Sequence, residues 1–150
     1  MALQIAEIES VIYEIHDFFT DWVGGRCPGD EATFKSHALD RISDDLVAIF
    51  PAGRKFGKED FKGYMSGIHG SNPDFKIKIR NVEVAHLGDD MAVANYEEWQ
   101  RNAKDSEEPN NGRLTTMVLG RHPSGNGAQI LQVHETWLPE DVVAKNSFDF

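Results

Sequence analysis

The stretch that decides the fold is A-Q-I-L-Q-V-H-E-T-W-L-P, residues Ala128 to Pro139. It follows the turn signal Pro123-Ser124-Gly125-Asn126-Gly127 and stops at a proline, so the pattern predicts one long strand. Side chains alternate along a strand. One face would hold Leu131, Val133, Glu135 and Trp137, and the other Ile130, Gln132, His134 and Thr136. Both faces mix apolar and polar groups, which is typical of a central strand between a core and a second layer or partner subunit.

Length and composition predict one folded domain over residues 1–150, because the chain has 150 residues, 40% of them hydrophobic and 27% charged. The net charge of -10 disfavours nucleic acid and anionic membrane surfaces. Cys27 is the only cysteine and the histidines are scattered, so we expect neither a disulfide nor a metal site. No apolar run is long enough to span a membrane, and a cytoplasmic protein is expected.

The first half of the chain has helical periodicity. Apolar residues recur every three or four positions from Leu3 to Val23, and two glycines follow, which predicts a helix. Asp30 is a candidate cap for a second helix. A strand is predicted over Leu46–Phe50 and a third helix over Lys58–His69. His16 has polar and apolar neighbours, and we interpret it as a histidine at the boundary of the core.

From Phe75 onward the apolar residues alternate, as they do in strands. Their parity reverses at Arg80-Asn81, which predicts a β-bulge and a bent strand. Further strands are predicted over Met91–Arg101 and Arg113–Arg121, before the final strand. Helices first and antiparallel strands last is an α+β pattern. We expect a strongly curved, mainly antiparallel sheet wrapped around the N-terminal helices, with a ligand pocket between them.

This order of elements resembles the nuclear transport factor 2-like superfamily, in particular its SnoaL-like, ketosteroid isomerase-like and kinase association-domain-like members. The residues that carry the resemblance are Gly88-Asp89-Asp90-x-Ala92-x-x-x-Tyr96 and Val133-His134-Glu135-Thr136-Trp137. The resemblance implies a cone-shaped α+β barrel that is usually dimeric, with a pocket under the sheet. It implies no particular reaction, because members of such a fold differ in their sites.

Alignment with the kinase association domain implies that Val133, Glu135 and Trp137 face the pocket, together with Tyr96 and Glu98. A carboxylate in an apolar pocket can act as a general base near neutral pH, and a phenol can stabilise a developing oxyanion. Glu135, Glu98 and Tyr96 are therefore the candidate catalytic residues. The candidate ligand contacts are Tyr64, Tyr96, Val133, Trp137 and Trp22.

Two functions remain open at this point. The first is binding of a small apolar or weakly polar organic molecule, with isomerase, dehydratase or cyclase activity that needs no cofactor. The alternative is a non-catalytic module for dimerisation or partner binding, in which the outer sheet face with His134 forms a homodimer. Glu98 and Glu135 would then pair with Arg113 or Arg101, and Tyr96 and Trp137 would be structural. The apolar tail residues Phe148 and Phe150 are expected to pack on the domain or on a partner.

Overall fold

The computed structural model describes residues 2–150. Three helices, α1 to α3, precede the four long strands, and a short helix α4 follows them. The helices are α1 (Ile5–Gly24), α2 (Glu31–His37), α3 (Lys58–Ser66) and α4 (Glu140–Ala144). The strands are β1 (Ile42–Ile49), β2 (Lys55–Phe56), β3 (Lys76–Leu87), β4 (Met91–Arg101), β5 (Asn111–Arg121) and β6 (Ala128–Trp137).

The strands form one six-stranded sheet in the order β2-β1-β6-β5-β4-β3. Only β1 and β6 run parallel, and every other neighbouring pair is antiparallel. The helices pack on the inner face of this curved sheet. The structure thus confirms the predicted α+β cone. It contains no helix that is long and apolar enough to cross a membrane, within residues 2–150.

The bend predicted in β3 is confirmed. The pairing of β3 with β4 shifts between Arg80 and Glu83, and Asn81 adopts a positive φ of 56°. An extra residue at this point leaves the ladder unpaired and increases the local twist. The sheet can therefore curl around α1 instead of extending flat beside it.

Helix α1 begins with a capping box between Gln4 and Glu7 and ends at Gly25, whose φ of 74° favours glycine. Its first half carries Ile8 and Ile12 into the main core, where both are fully buried. Its last turns enter a second core, which also contains Phe34 of α2 and Met65 of α3. One helix thus connects the two cores of the cone.

Strand β6 departs from regular alternation. Its register with β5 shifts between the pairs Leu119–Ile130 and Val118–Gln132, so Leu131 is the extra residue. The predicted faces are therefore wrong for Ile130, which is buried in the main core. From Val133 onward the predicted inner face is correct, because the bulge lies before this point. The bulge lets apolar Ile130 and acidic Glu135 face the same side of the sheet.

Strand β1 and helix α3 have other boundaries than predicted, and one short helix was not predicted. Strand β1 begins at Ile42, so Asp44 and Asp45 lie inside a strand instead of a connection. Helix α3 ends at Ser66 and is followed by turns, before the predicted end at His69. Helix α4 has no periodic apolar pattern, and the sequence does not predict it.

The C-terminal tail packs on its own domain, which is one of the two arrangements expected from the sequence. Phe148 contacts the edge of Trp99 on the outer sheet face, with ring centroids 5.6 Å apart. Arg101 donates a hydrogen bond to the Phe148 carbonyl, and Arg80 donates one to the Ser147 carbonyl. The tail thereby covers Trp99, which would otherwise be a large exposed aromatic residue on the outer face.

Candidate functional site

Polar side chains occupy two adjacent rows across the inner face of β4, β5 and β6. In the first row, Tyr96 pairs with Thr115, which pairs with Glu135. In the second row, Glu98 pairs with Arg113, which pairs with Trp137. Directly opposite residues in antiparallel strands have neighbouring side chains. The register therefore brings together the three predicted catalytic residues, Tyr96, Glu98 and Glu135.

Arg113 is the centre of this group. Its Nη1 donates a hydrogen bond of 2.8 Å to Glu135 Oε2, and both side chains are buried. Its Nη2 donates longer bonds of 3.3 Å to Gln100 Oε1 and Asn111 Oδ1. The Gln100 amide donates in turn to Glu98 Oε2. One guanidinium thus pairs directly with Glu135 and reaches Glu98 only through an amide.

The partner of Glu98 is His16 of α1, which lies 3.0 Å from Glu98 Oε1 through Nε2. His16 Nδ1 donates to the carbonyl of Ile12 at 2.7 Å. Both ring nitrogens face acceptors, so the geometry fits the imidazolium form, in which both nitrogens donate. The interpretation of His16 as a boundary residue is therefore wrong. The expected pairing of Glu98 with Arg101 or Arg113 is replaced by this histidine.

The two carboxyl groups have opposite pKa shifts. Burial, together with the negative charge of Glu98, raises the pKa of Glu135 to about 7, although Arg113 and His16 act to lower it. Burial also acts to raise the pKa of Glu98, but the charge and hydrogen bond of His16, with Arg113 and Gln100, lower it to well below its usual value. Glu98 is therefore ionised, and Glu135 exchanges a proton near neutral pH.

The other two titratable groups follow the same electrostatics. Burial alone would lower the pKa of His16, but the charge and hydrogen bond of Glu98 raise it overall. Burial, with the charges of Glu98 and Glu135, raises the pKa of Tyr96 well above its usual value. The Tyr96 phenol therefore keeps its proton and can donate a hydrogen bond.

Two exposed aromatic residues lie beside the buried group. Trp137 is 44% exposed, and its ring lies 5.0 Å from the Arg113 guanidinium carbon. Tyr64 of α3 is 55% exposed. Its pKa is raised by partial burial and by Asp105, while the positive charge of Arg113 opposes the increase. Trp137 thus lies against Arg113, and Tyr64 is close enough for the Arg113 charge to act on its pKa.

The other two predicted ligand contacts lie elsewhere. Val133 is half-buried against the main core. Trp22 is fully buried in the second core, where its Nε1 donates to the Met65 carbonyl at 2.7 Å. These contacts account for the burial of Trp22 without a ligand.

At the predicted pocket, Tyr96, Glu98 and Glu135 are each no more than 6% exposed. Cavities of about 500 and 220 Å³ open instead near the β5–β6 turn, where Glu7, Asn126 and Gly127 line both. Neither cavity is lined by Tyr96, Glu98 or Glu135. Among the residues that the structure describes, no three histidine, cysteine or acidic side chains are placed to hold a metal ion.

The sequence contains a signal for His16 that the boundary interpretation missed. Ile8, Ile12, Ile15 and His16 follow the three- and four-residue steps of the apolar face of α1, so the histidine points into the core with them. A histidine on such a face needs a partner, and Glu98 supplies it. Gln100 and Asn111 are polar residues at strand ends, and no sequence pattern marks them as members of the group.

Comparison with solved structures shows the same fold in other proteins. A nuclear transport factor 2-like protein of unknown function from Pseudomonas aeruginosa is 22% identical over 89% of this chain and 99% of its own, with a TM-score of 0.77. The CamKII hub homology domain of Chlamydomonas reinhardtii is 14% identical, covering 89% of this chain and 98% of its own, with a TM-score of 0.62. A ketosteroid isomerase-like protein from Erwinia carotovora atroseptica is 13% identical, covering 90% and 96%, with a TM-score of 0.59.

The chain therefore has the nuclear transport factor 2-like fold, as the sequence resemblance implied. No protein-family model and no curated protein matches it. The structural neighbours include an isomerase-like protein and a kinase hub domain. At these identities they show the fold alone, and any function has to be argued from the site itself.

Proposed function

We propose that the protein binds a small organic molecule beside Trp137 and transfers a proton with Glu135 as the general base, without a cofactor. The observation that carries this proposal is the pair of buried carboxyl groups with separated pKa values. Glu98 is 5% exposed and paired with His16, whereas Glu135 is 6% exposed and has a pKa near 7. A base is most useful when its pKa is near the working pH.

The neighbours of Glu135 supply the other parts that such a reaction needs. Arg113 fixes one carboxylate oxygen of Glu135, which leaves the other oxygen for a substrate proton. Tyr96 keeps its phenolic proton and lies two strands away from Glu135, with Thr115 of β5 between them. The Thr115 hydroxyl is buried and lies beside the Tyr96 phenol, whose pKa it acts to lower. Both hydroxyl groups are thus candidates to bind a polar atom of the ligand.

Proton abstraction next to a carbonyl group is the reaction that these parts fit. The Glu135 carboxylate takes a proton from the carbon, and the electron pair moves onto the carbonyl oxygen as an enolate. A hydrogen bond from Tyr96 stabilises that oxygen. Return of the Glu135 proton at another carbon completes an isomerisation, whereas its transfer to a departing β-hydroxyl group releases water and completes a dehydration. Attack of the enolate on a second carbonyl of the same molecule, whose oxygen then takes the Glu135 proton, gives a cyclisation. Trp137 and Tyr64 are the proposed aromatic contacts.

Hydrogen–deuterium exchange tests this proposal. Small β,γ-unsaturated ketones and β-hydroxy ketones are incubated with the protein in D2O, and exchange at the α-carbon is followed by NMR. We expect Glu135→Gln to slow the protein-dependent exchange by roughly 100-fold or more. Glu83→Gln, which changes an exposed glutamate of β3, is the matched control. Exchange that is absent, or equally fast with Glu135→Gln, would show that Glu135 is not a base for these compounds.

A homodimerisation module is the second candidate. It is favoured by the packed interior and by the outer face of β5 and β6, where Leu114, His134 and Thr136 are exposed. Leu114 and Thr136 are directly paired across these strands, so the patch is continuous. Sedimentation equilibrium tests this candidate. Leu114→Lys should convert a dimer into a monomer, whereas a monomeric native protein would exclude a dimer through this face.

A further inference from the structure

His16 lies outside the set of side chains that the proposed reaction uses, yet it is a buried charged residue in direct contact with that set. We propose that His16 is a positioning residue for Glu135. Because His16 pairs with Glu98, Arg113 is free to bond Glu135, and Glu135 is the acid that carries the exchangeable proton. This inference rests on the proposed role of Glu135 as the base. It assigns a function to α1, which otherwise contributes only apolar side chains to the space under the sheet.

The geometry around His16 fixes both the orientation and the protonation of the ring. Nδ1 donates to the Ile12 carbonyl one helical turn earlier, at 2.7 Å. Nε2 faces Glu98 Oε1 at 3.0 Å. The ring also packs edge-on against Tyr96, with centroids 5.4 Å apart. Three contacts thus hold the imidazolium against a single carboxylate oxygen, and rotation of the ring would break at least two of them.

The charged groups around Glu135 come from every element that packs near it. Glu98 and Tyr96 face it from β4, Arg113 from β5 and His16 from α1. Tyr64 of α3 is the remaining titratable neighbour of Arg113. Only two of these groups are cations, and each is bonded to one carboxylate. Each of the two acids therefore has one cation as its direct partner. Because His16 pairs with Glu98, Arg113 remains as the partner of Glu135.

Removal of His16 changes this distribution. Glu98 would lose its only direct cation and would take up a proton, because a buried carboxylate without a partner is costly. Glu135 would keep Arg113 and would no longer face a negative charge on Glu98. The proton that Glu135 carries near neutral pH would thus move to Glu98. The pKa of Glu135 should therefore fall in His16→Gln, and also in Glu98→Gln, which removes the same charge directly.

NMR titration of the Glu135 side-chain carboxyl carbon tests the inference in the native protein and in both variants. We expect the midpoint of Glu135 to fall by at least about one pH unit, a tenfold loss of proton affinity, in each variant. His86→Gln, an exposed histidine of β3, is the control and should leave the midpoint unchanged. A midpoint that stays at its native value in either folded variant would overturn the inference.

A second measurement decides the question even if His16→Gln does not fold. Nitrogen NMR of the native protein at pH 7 should show protons on both ring nitrogens of His16, and a singly protonated ring would contradict the ion pair. Neither measurement needs a substrate. If the midpoints shift but no ketone exchanges its protons, the proposed reaction fails. The result would still show that His16 keeps the exchangeable proton on Glu135.

Discussion

The two ends of the space under the sheet differ although the same three strands form both. At the apolar end, two rows across β4, β5 and β6 contain only hydrophobic residues. At the polar end, the next two rows contain the candidate site. The apolar rows are Ala92–Leu119–Ile130 and Ala94–Met117–Val133, and the polar rows are Tyr96–Thr115–Glu135 and Glu98–Arg113–Trp137. The composition of the inner face thus changes within one step along the strands.

The apolar rows stabilise the fold, whereas the polar rows contain the groups that could take part in a reaction. Burial of the apolar rows removes hydrophobic surface from water, at roughly 25 cal/mol per Å². Burial of the polar rows costs desolvation energy for four ionisable groups, and their hydrogen bonds and ion pairs only offset it. A protein that needed only a stable cone could extend the apolar rows. Retention of two acids and Arg113 on this surface, with His16 of α1 against them, is what motivates a functional interpretation of the polar end.

The largest expected effect follows from breaking the polar end. Arg113→Met removes the cation beside the two buried acids and leaves its acceptors on Glu135, Gln100 and Asn111 without a donor. It should lower the free energy of unfolding by about 3–5 kcal/mol at pH 7. Urea denaturation measures this loss. The double variant Arg113→Met with Glu135→Leu should recover part of it, because the buried acid that Arg113 pairs with is then absent as well. A single variant as stable as the native protein would show that Arg113 is not needed to compensate the buried acids.

At the apolar end, a single large-to-small substitution should have a slightly smaller effect. Leu119 is fully buried between Ala92 and Ile130. Leu119→Ala leaves a cavity and should cost about 3 kcal/mol in the same urea experiment. It should leave the NMR midpoint of Glu135 unchanged, because no charged group is altered. A shifted midpoint would mean that the apolar and polar ends are energetically coupled.

Part of this arrangement could be predicted from the sequence. Regular alternation along β4 is sufficient to place Tyr96 and Glu98 on one face, because β4 pairs with β5 without a register shift. The reversal of parity in β3 likewise predicts the bulge that bends the sheet. Such patterns depend only on residues close together in the sequence. They predict the faces of a strand correctly where the strand contains no further bulge.

The rest could not be predicted, because it depends on contacts between distant parts of the chain. The bulge at Leu131 has no glycine or change of parity to mark it, so simple alternation gives the wrong face for Ile130. The pairing of His16 with Glu98 depends on how α1 lies across β4, which no sequence spacing defines. The sequence thus indicated a carboxylate site, but it could not show which cation belongs to which acid.

The pH dependence of stability reports the contribution of a single group at the polar end, Glu135. The folded protein binds the Glu135 proton more tightly than the unfolded chain does, so its contribution is fully present below about pH 4.3. It is lost as the pH rises through the folded pKa of about 7. Between pH 5 and pH 8, the native protein should therefore lose roughly 2 kcal/mol more stability than Glu135→Gln.

Urea titrations at several pH values measure this difference, and contributions that both proteins share cancel in it. Those include the gain as Glu98 ionises at low pH and most of the loss at high pH that the raised pKa of His16 causes, because Glu98 acts on His16 more strongly than Glu135 does. Parallel pH profiles for the two proteins would mean that Glu135 has an ordinary pKa. Leu119→Ala should follow the native profile at lower stability, because its defect lies at the apolar end.

The smallest expected effect concerns the exposed edge of the polar end. Trp137→Ala removes a ring that lies over Arg113 but is 44% exposed, so the free energy of unfolding should fall by only about 0.5–1 kcal/mol. Exchange of ketone protons should fall more than stability does, because this ring is a proposed ligand contact. A large loss of stability would instead show that Trp137 closes the core and that ligands reach Glu135 from another side. Such a result would move the entrance toward Tyr64 and α3, while Glu135 on β6 would remain the proposed base.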